Sequence, residues 1–156
     1  DLMDALARDR PEDAHAVLGI TTTDVYPEAS WSFVFGMASP SRRVGVFSTA
    51  RYHTHDGPGP APEALVLRRT LATMLHELGH VFGMSHCQHF RCLLNGTNSL
   101  AESDAGVMHL GPVCLHKLYV AHPFDARIRY QELARAYARH GLDEEAAWVR
   151  RRLEEL

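Results

Sequence analysis

His76-Glu77-Leu78-Gly79-His80-Val81-Phe82-Gly83-Met84-Ser85-His86 matches the pattern HExxHxxGxxH. Two histidines four apart on a helix share a face, so both imidazoles can reach one ion at roughly 2.0 to 2.1 Å. Glu77, a quarter turn round, then faces the same ion without binding it. HExxH alone arises by chance in about one chain in twenty of this composition, whereas the longer pattern arises in roughly one in several thousand. Each added position has a physical task. Gly83 lets the chain leave the helix sharply, and His86 can then swing back to complete a three-histidine site. Three neutral imidazoles with one open position form a catalytic rather than a structural zinc arrangement. A water in that position is acidified toward a pKa of about 7, and Glu77 can take its proton and pass it to a leaving amine. The implied reaction is hydrolysis of an amide. A third ligand of another kind, Glu102 on a downstream helix, is the competing arrangement, but it leaves Gly83 and His86 without a role.

Around this motif the period of the apolar residues sets the elements. Leu67, Leu71, Leu75, Leu78 and Phe82 fall three or four apart, which predicts an amphipathic active-site helix over 62–83 with Pro62 in its first turn. Upstream, residues 14–50 read as three sheet strands: 14–20, 31–37 and 44–48. Residues 53–62 are rich in Gly and Pro and read as a loop. Residues 84–116 have little periodicity and are long for a plain connection, which points to a metal-binding loop region. The tail, 124–156, reads as a helical hairpin, with His140-Gly141 as a stop and Asp143 as an N-cap. Leu2, Ala5 and Leu6 look like a helix already under way, so the reading is a single catalytic domain over 1–156, truncated at its N-terminus.

The chain has 156 residues, of which 46% are apolar and 22% charged, the usage of one ordinary globular domain. Sixteen Lys and Arg against nineteen Asp and Glu leave a net charge of −3, with no basic field for a phosphate backbone. Nucleic acid is therefore excluded as the default partner. No apolar run is long enough to span a bilayer, and no secretory leader is visible. A peptide or protein substrate, no membrane partner, a monomer and a cytoplasmic location are the expectations. The unusual counts are 11 histidines and 3 cysteines. His53 and His55 lie in the Gly- and Pro-rich loop, where they could rim the cleft but read as solvated residues; His15, His116, His122 and His140 fall in no ligand-spaced register, His140 suiting a helix C-terminus, and the Arg150-Arg151-Arg152 run reads as a solvated helix face.

Cys87 follows the third histidine directly, with Cys92 and Cys114 beyond it. With these, residues 76–118 resemble the archaemetzincin family, whose pattern appends two spaced cysteines and a later Cys-x-x-Cys to the histidine motif. Gly19–Pro27 (GITTTDVYP), Ser30–Gly36 (SWSFVFG), Val44–Tyr52 (VGVFSTARY) and Pro112–Leu118 (PVCLHKL) extend the likeness to about residues 11–120. The resemblance implies an α+β zincin-like (metzincin) catalytic fold: a mixed twisted β-sheet, an active-site helix beneath it and a helical C-terminal part. It further implies a zinc metallopeptidase with a second zinc held by cysteines. Two departures stand out. Gly111 occupies the place of one of the four cysteines, so a second zinc on Cys87, Cys92 and Cys114 needs His109, His89 or water as a fourth contact, with His109 preferred; three free buried cysteines without a metal are the alternative. Leu94 stands where the family has the methionine that floors the catalytic zinc, and its similar volume should fill that floor. The resemblance also offers Arg43 to Ser48, centred on Val44, Gly45 and Val46, as the strand that pairs with extended substrate. The reading from another class is a metal-stabilised peptide-binding or regulatory module with little hydrolytic activity.

Overall fold

The computed structural model describes residues 1–28 and 30–156. By contact density the chain divides into two compact units, Asp1–His109 and Leu110–Leu156, where the sequence reads as one domain.

The first unit is built on β3 (Val44–Ser48), all five residues of which are buried. β1 (Val17–Thr21) pairs parallel with it, Val17 opposite Val44 through Thr21 opposite Ser48. β2 (Gly36–Ser39) pairs antiparallel on the other side, Gly36 opposite Phe47 through Ser39 opposite Val44. The order is thus β1-β3-β2, and a strand covered on both edges and both faces is mostly apolar, as Val44, Val46 and Phe47 are, with the buried Ser48 hydroxyl satisfied by the Thr23 carbonyl at 2.7 Å. The connection from β2 to β3 is tight, with the amide of Arg43 donating to the carbonyl of Pro40 and Arg43 itself at φ 57°.

Helix α1 (Leu2–Arg8) starts at Asp1, whose carboxylate accepts from the Asp4 amide in a capping box. Its Met3 joins Val25, Val44 and Val46 in a core on one side of the sheet. Helix α2 (Glu63–Val81) packs against β2 and β3. One buried cation fixes it in place: Arg69, 2% exposed, donates Nε and Nη2 to Asp104 at 2.8 and 2.5 Å and Nη1 to the carbonyls of Tyr52 and Thr54, each at 2.6 Å. Asp104 ends α3 (Leu100–Asp104). The central helix is therefore tied to the loops before and after it through a single guanidinium, with Tyr52 Oη and Thr73 Oγ1 adding a buried bond at 2.5 Å.

The second unit holds α4 (Pro112–Ala121), α5 (Ala126–Arg139) and α6 (Asp143–Glu154). Asp125 caps α5 through the amide of Ile128, and Gly141 at φ 68° ends it after His140. Asp143 is the first residue of α6 rather than its cap, which is Leu142. Tyr130, Tyr137, Ala146 and Val149 form the buried seam of this α5–α6 hairpin. No helix among the described residues is long and apolar enough to cross a membrane.

The strand expected over 31–37 is shorter than its alternation indicates. Among the described residues, the backbone of 31–35 pairs through an isolated Val25–Val34 bridge and the Ser48 amide on the Phe35 carbonyl, Val34 packs on the Val44–Val46 side of the core, and regular pairing begins at Gly36.

Candidate metal centre and cleft

Helix α2 ends in a Schellman motif: the Met84 amide donates to the Gly79 carbonyl at 3.0 Å and the Gly83 amide to the His80 carbonyl at 2.8 Å. Gly83 sits at φ 80°, the left-handed region that a residue with a Cβ enters at a cost. This turn also orients a side chain, because His80 Nδ1 then donates to the Met84 carbonyl at 2.6 Å. His76 Nδ1 donates likewise to the Leu93 carbonyl at 2.8 Å. With Nδ1 carrying the proton in both rings, each Nε2 presents a lone pair.

Those lone pairs converge. His76 Nε2 lies 3.0 Å from His80 Nε2 and 3.2 Å from His86 Nε2. Ligands on a tetrahedral zinc at about 2.0–2.1 Å are separated by roughly 3.3–3.4 Å, so the spacing is close to that of one shared ion. Bare lone pairs at this distance repel one another. A cation removes that repulsion, and neutral imidazole nitrogen is a zinc donor, so the residues present fit the metal. Burial, with the neighbouring His80 and His86, holds the His76 imidazole down to about 4, and burial lowers that of His86 as well, which keeps both rings neutral near pH 7.

Glu77 is 5% exposed, and burial pushes its carboxyl up to about 8. Its side chain lies flat on the first residue of β2: a Cβ added to Gly36 would stand 2.6 Å from Glu77 Oε1 and 2.7 Å from Cδ. Below the histidines, Leu94 is fully buried and packs on the helix at Gly79, where an added Cβ would meet Leu94 Cδ2 at 2.6 Å. Gly79, having no Cβ, makes room for the leucine.

The centre opens into a cleft of about 910 Å³ walled by Trp31, Phe33, Phe35, Thr73 and Val107. Phe33 is braced from behind by Arg51, whose guanidinium lies 3.7 Å from the ring and forms a two-armed bond to Asp24. Val44, Gly45 and Val46 are not at this cleft edge. They lie in the central strand, with both backbone edges taken by β1 and β2, which leaves no amide or carbonyl row for a substrate. The side of the sheet that reaches the cleft is β2 and the residues before it.

Glu102 is not brought to the histidines. Its carboxylate accepts from the Asn98 amide and its own amide donates to Ser99 Oγ, the N-cap of α3, so its side chain is engaged at the start of that helix. The sulfurs of Cys87 and Cys92 lie within 4.8 Å of each other. Cys114 belongs to the second unit, buried in the first turn of α4, where Gly111 is the N-cap and Pro112 the first helical residue. The backbone carbonyl of His109 accepts from the Leu93 amide at 2.7 Å.

A long helix against a mixed sheet, with two histidines four apart and a third returning past a glycine, defines the zincin-like fold of metal-dependent peptidases. The model of peptidase family M54 matches residues 6–119. Human archaemetzincin-2 is 39% identical over 160 aligned residues, covering 86% of this chain but 44% of its own length. The crystal structure of archaemetzincin from Methanopyrus kandleri superposes with a TM-score of 0.63 at 34% identity, over 75% of this chain and 61% of that one. A zinc-dependent peptidase from Methanocorpusculum labreanum gives 0.64 at 26% identity, over 75% and 69%. The chain belongs to peptidase family M54, the archaemetzincins, and spans less than half the length of its human relative.

Proposed function

We propose that this chain is the catalytic part of a zinc metallopeptidase, with His76, His80 and His86 as ligands and Glu77 as general base and acid. The observation that carries the reading is the convergence of three Nε2 atoms, two with their tautomer set by a backbone carbonyl, beside a buried carboxyl. Zinc held there supplies Lewis acidity, acidifying a water toward neutral pH and polarising a substrate carbonyl. Glu77, held in place by Gly36, accepts the proton of the attacking water and delivers it to the leaving amine, which departs neutral. A substrate peptide runs along the outer side of β2, where Trp31, Phe33 and Phe35 offer apolar contact. Among the described residues the cleft lining contains no Asp, Lys or Arg, and Glu77 is its one carboxyl group, which favours uncharged residues next to the scissile bond.

A second zinc on Cys87, Cys92 and Cys114 is part of the same proposal. Three thiolates retain zinc more weakly than four, and the replacement of a cysteine by Gly111 leaves one position to an exchangeable ligand. Thiolate ligands also fit a reducing compartment such as the cytoplasm.

The test is digestion of a peptide library by the protein as purified, after chelation, and after zinc is restored. Cleavage should vanish with the metal and return with it. Peptides retained uncut by the zinc-loaded protein identify a binding module instead and overturn the catalytic reading.

A further inference from the structure

His86 differs from the other two histidines in how it is held. His76 and His80 each spend Nδ1 on a backbone carbonyl and stand on a 19-residue helix. His86 is exposed, lies beyond the helix and among the described residues makes no Nδ1 bond; its one polar contact is Nε2 on His76. What holds it is the chain on either side. The next residue, Cys87, donates its amide to the Leu94 carbonyl at 2.8 Å, and the imidazole lies flat on Gly96, where an added Cβ would be 3.2 Å from Cε1 and Nδ1. Between Leu94 and Gly96 stands Asn95. Its Nδ2 donates to the carbonyls of Cys87 at 2.7 Å and Phe90 at 3.0 Å, its Oδ1 accepts from the Cys92 amide at 2.8 Å, and its own amide donates to the Cys92 carbonyl at 3.0 Å. One half-buried side chain therefore closes the whole 87–95 loop against itself.

We propose that Asn95 is the positioning residue of the third zinc ligand, doing for His86 through the loop backbone what a carbonyl on Nδ1 does for His76 and His80. The assignment rests on the three-histidine reading above. It follows from the geometry that His86 keeps its place when the cysteines carry no metal, because the loop that presents it is closed by amide bonds and not by thiolates. Asn95 does not touch the ion or the substrate. Its replacement acts only through where His86 points.

Cobalt(II) titration of the full chain tests this, because thiolate coordination gives a charge-transfer absorption that imidazole coordination lacks, so the two sites are read apart. Asn95→Ala should weaken cobalt at the histidine site by about tenfold, the usual range for loss of a group that orients a ligand. In a His86→Ala background the same substitution should change nothing further, since the ligand it positions is gone. Asn95→Asp keeps the acceptor for the Cys92 amide and loses both donors, and it should weaken the native site to a similar degree while folding more readily. Equal weakening with and without His86, no weakening by either variant, or failure of both to fold shows a general scaffolding residue and overturns the assignment. If His86→Ala alone leaves cobalt affinity intact, the three-histidine reading fails first and takes the Asn95 assignment with it.

Discussion

The histidine centre and the cysteine loop are neighbours in sequence, yet they are built on different principles. His76 and His80 sit on a long helix that is packed under a sheet and pinned by a buried guanidinium. Their orientation is settled by backbone carbonyls before any ion arrives. Cys87 and Cys92 sit on a short loop with no regular structure, closed by the side chain of Asn95, and Cys114 stands in the other unit. The difference teaches where metal dependence resides. A donor set held by a helix is preorganised, so a metal would add affinity and chemistry there without having to build the site; thiols on a loop without regular structure would depend more on a metal to order them.

The comparison can be broken at its strongest point first. Arg69→Met removes the cation that ties α2 to both flanking loops and leaves Asp104 without its partner. It should cost about 3–5 kcal/mol of stability, the range for breaking a buried pair, read as a large fall in the urea midpoint. A change below about 1 kcal/mol shows that the helix is not held this way. Gly36→Ala comes next. The new methyl overlaps the Glu77 carboxylate, and displacement of a general base by about 1 Å should lower kcat on the order of 10²-fold with zinc content preserved. Loss of zinc instead would place the damage in the ligands.

On the loop side, smaller effects are expected. Cys87→Ser with Cys92→Ser should remove any thiolate-bound metal but leave the histidine-site zinc and its turnover nearly unchanged, because serine keeps the acceptor that the Leu94 amide uses and Asn95 still closes the loop. Metal analysis and peptide cleavage on the same sample check both halves. A parallel loss of the histidine-site zinc breaks the comparison. Leu94→Met is the mildest, a swap of nearly equal volume against Gly79 costing below about 1.5 kcal/mol, checked as a shift of a few degrees in Tm.

How much of this could be read in advance depends on the range of the contacts. HExxHxxGxxH contains its own geometry, since helical spacing and one glycine determine where three imidazoles go, and the expected helix over 62–83 compares with Glu63–Val81 in the structure. That Leu94 is buried against Gly79 agrees with the apolar packing that the family resemblance implied for it. The substrate edge was not. Val44, Gly45 and Val46 have the apolar character of a strand, but whether a strand is central or an edge depends on partners distant in sequence, and β3 has two. The available signal was the run Val44-Gly45-Val46-Phe47, which has no charged or alternating polar residue of the kind that an exposed edge strand carries. Gly36, Arg69 and Asn95 escaped for the same reason: each acts through one non-local contact that no period or motif announces. Asn95 lies in a stretch whose lack of periodicity pointed only to a metal, whereas hydrogen bonds from one amide close it.

The measurement that bears most directly on the central claim is peptide cleavage by Glu77→Gln at full zinc loading. The substitution keeps the shape beside Gly36 and removes the base. Zinc content should equal that of the native protein, and turnover should fall by about 10²- to 10⁴-fold. Cleavage at the native rate with zinc in place contradicts the assignment of Glu77 and, with it, the reading of this site as a hydrolytic centre.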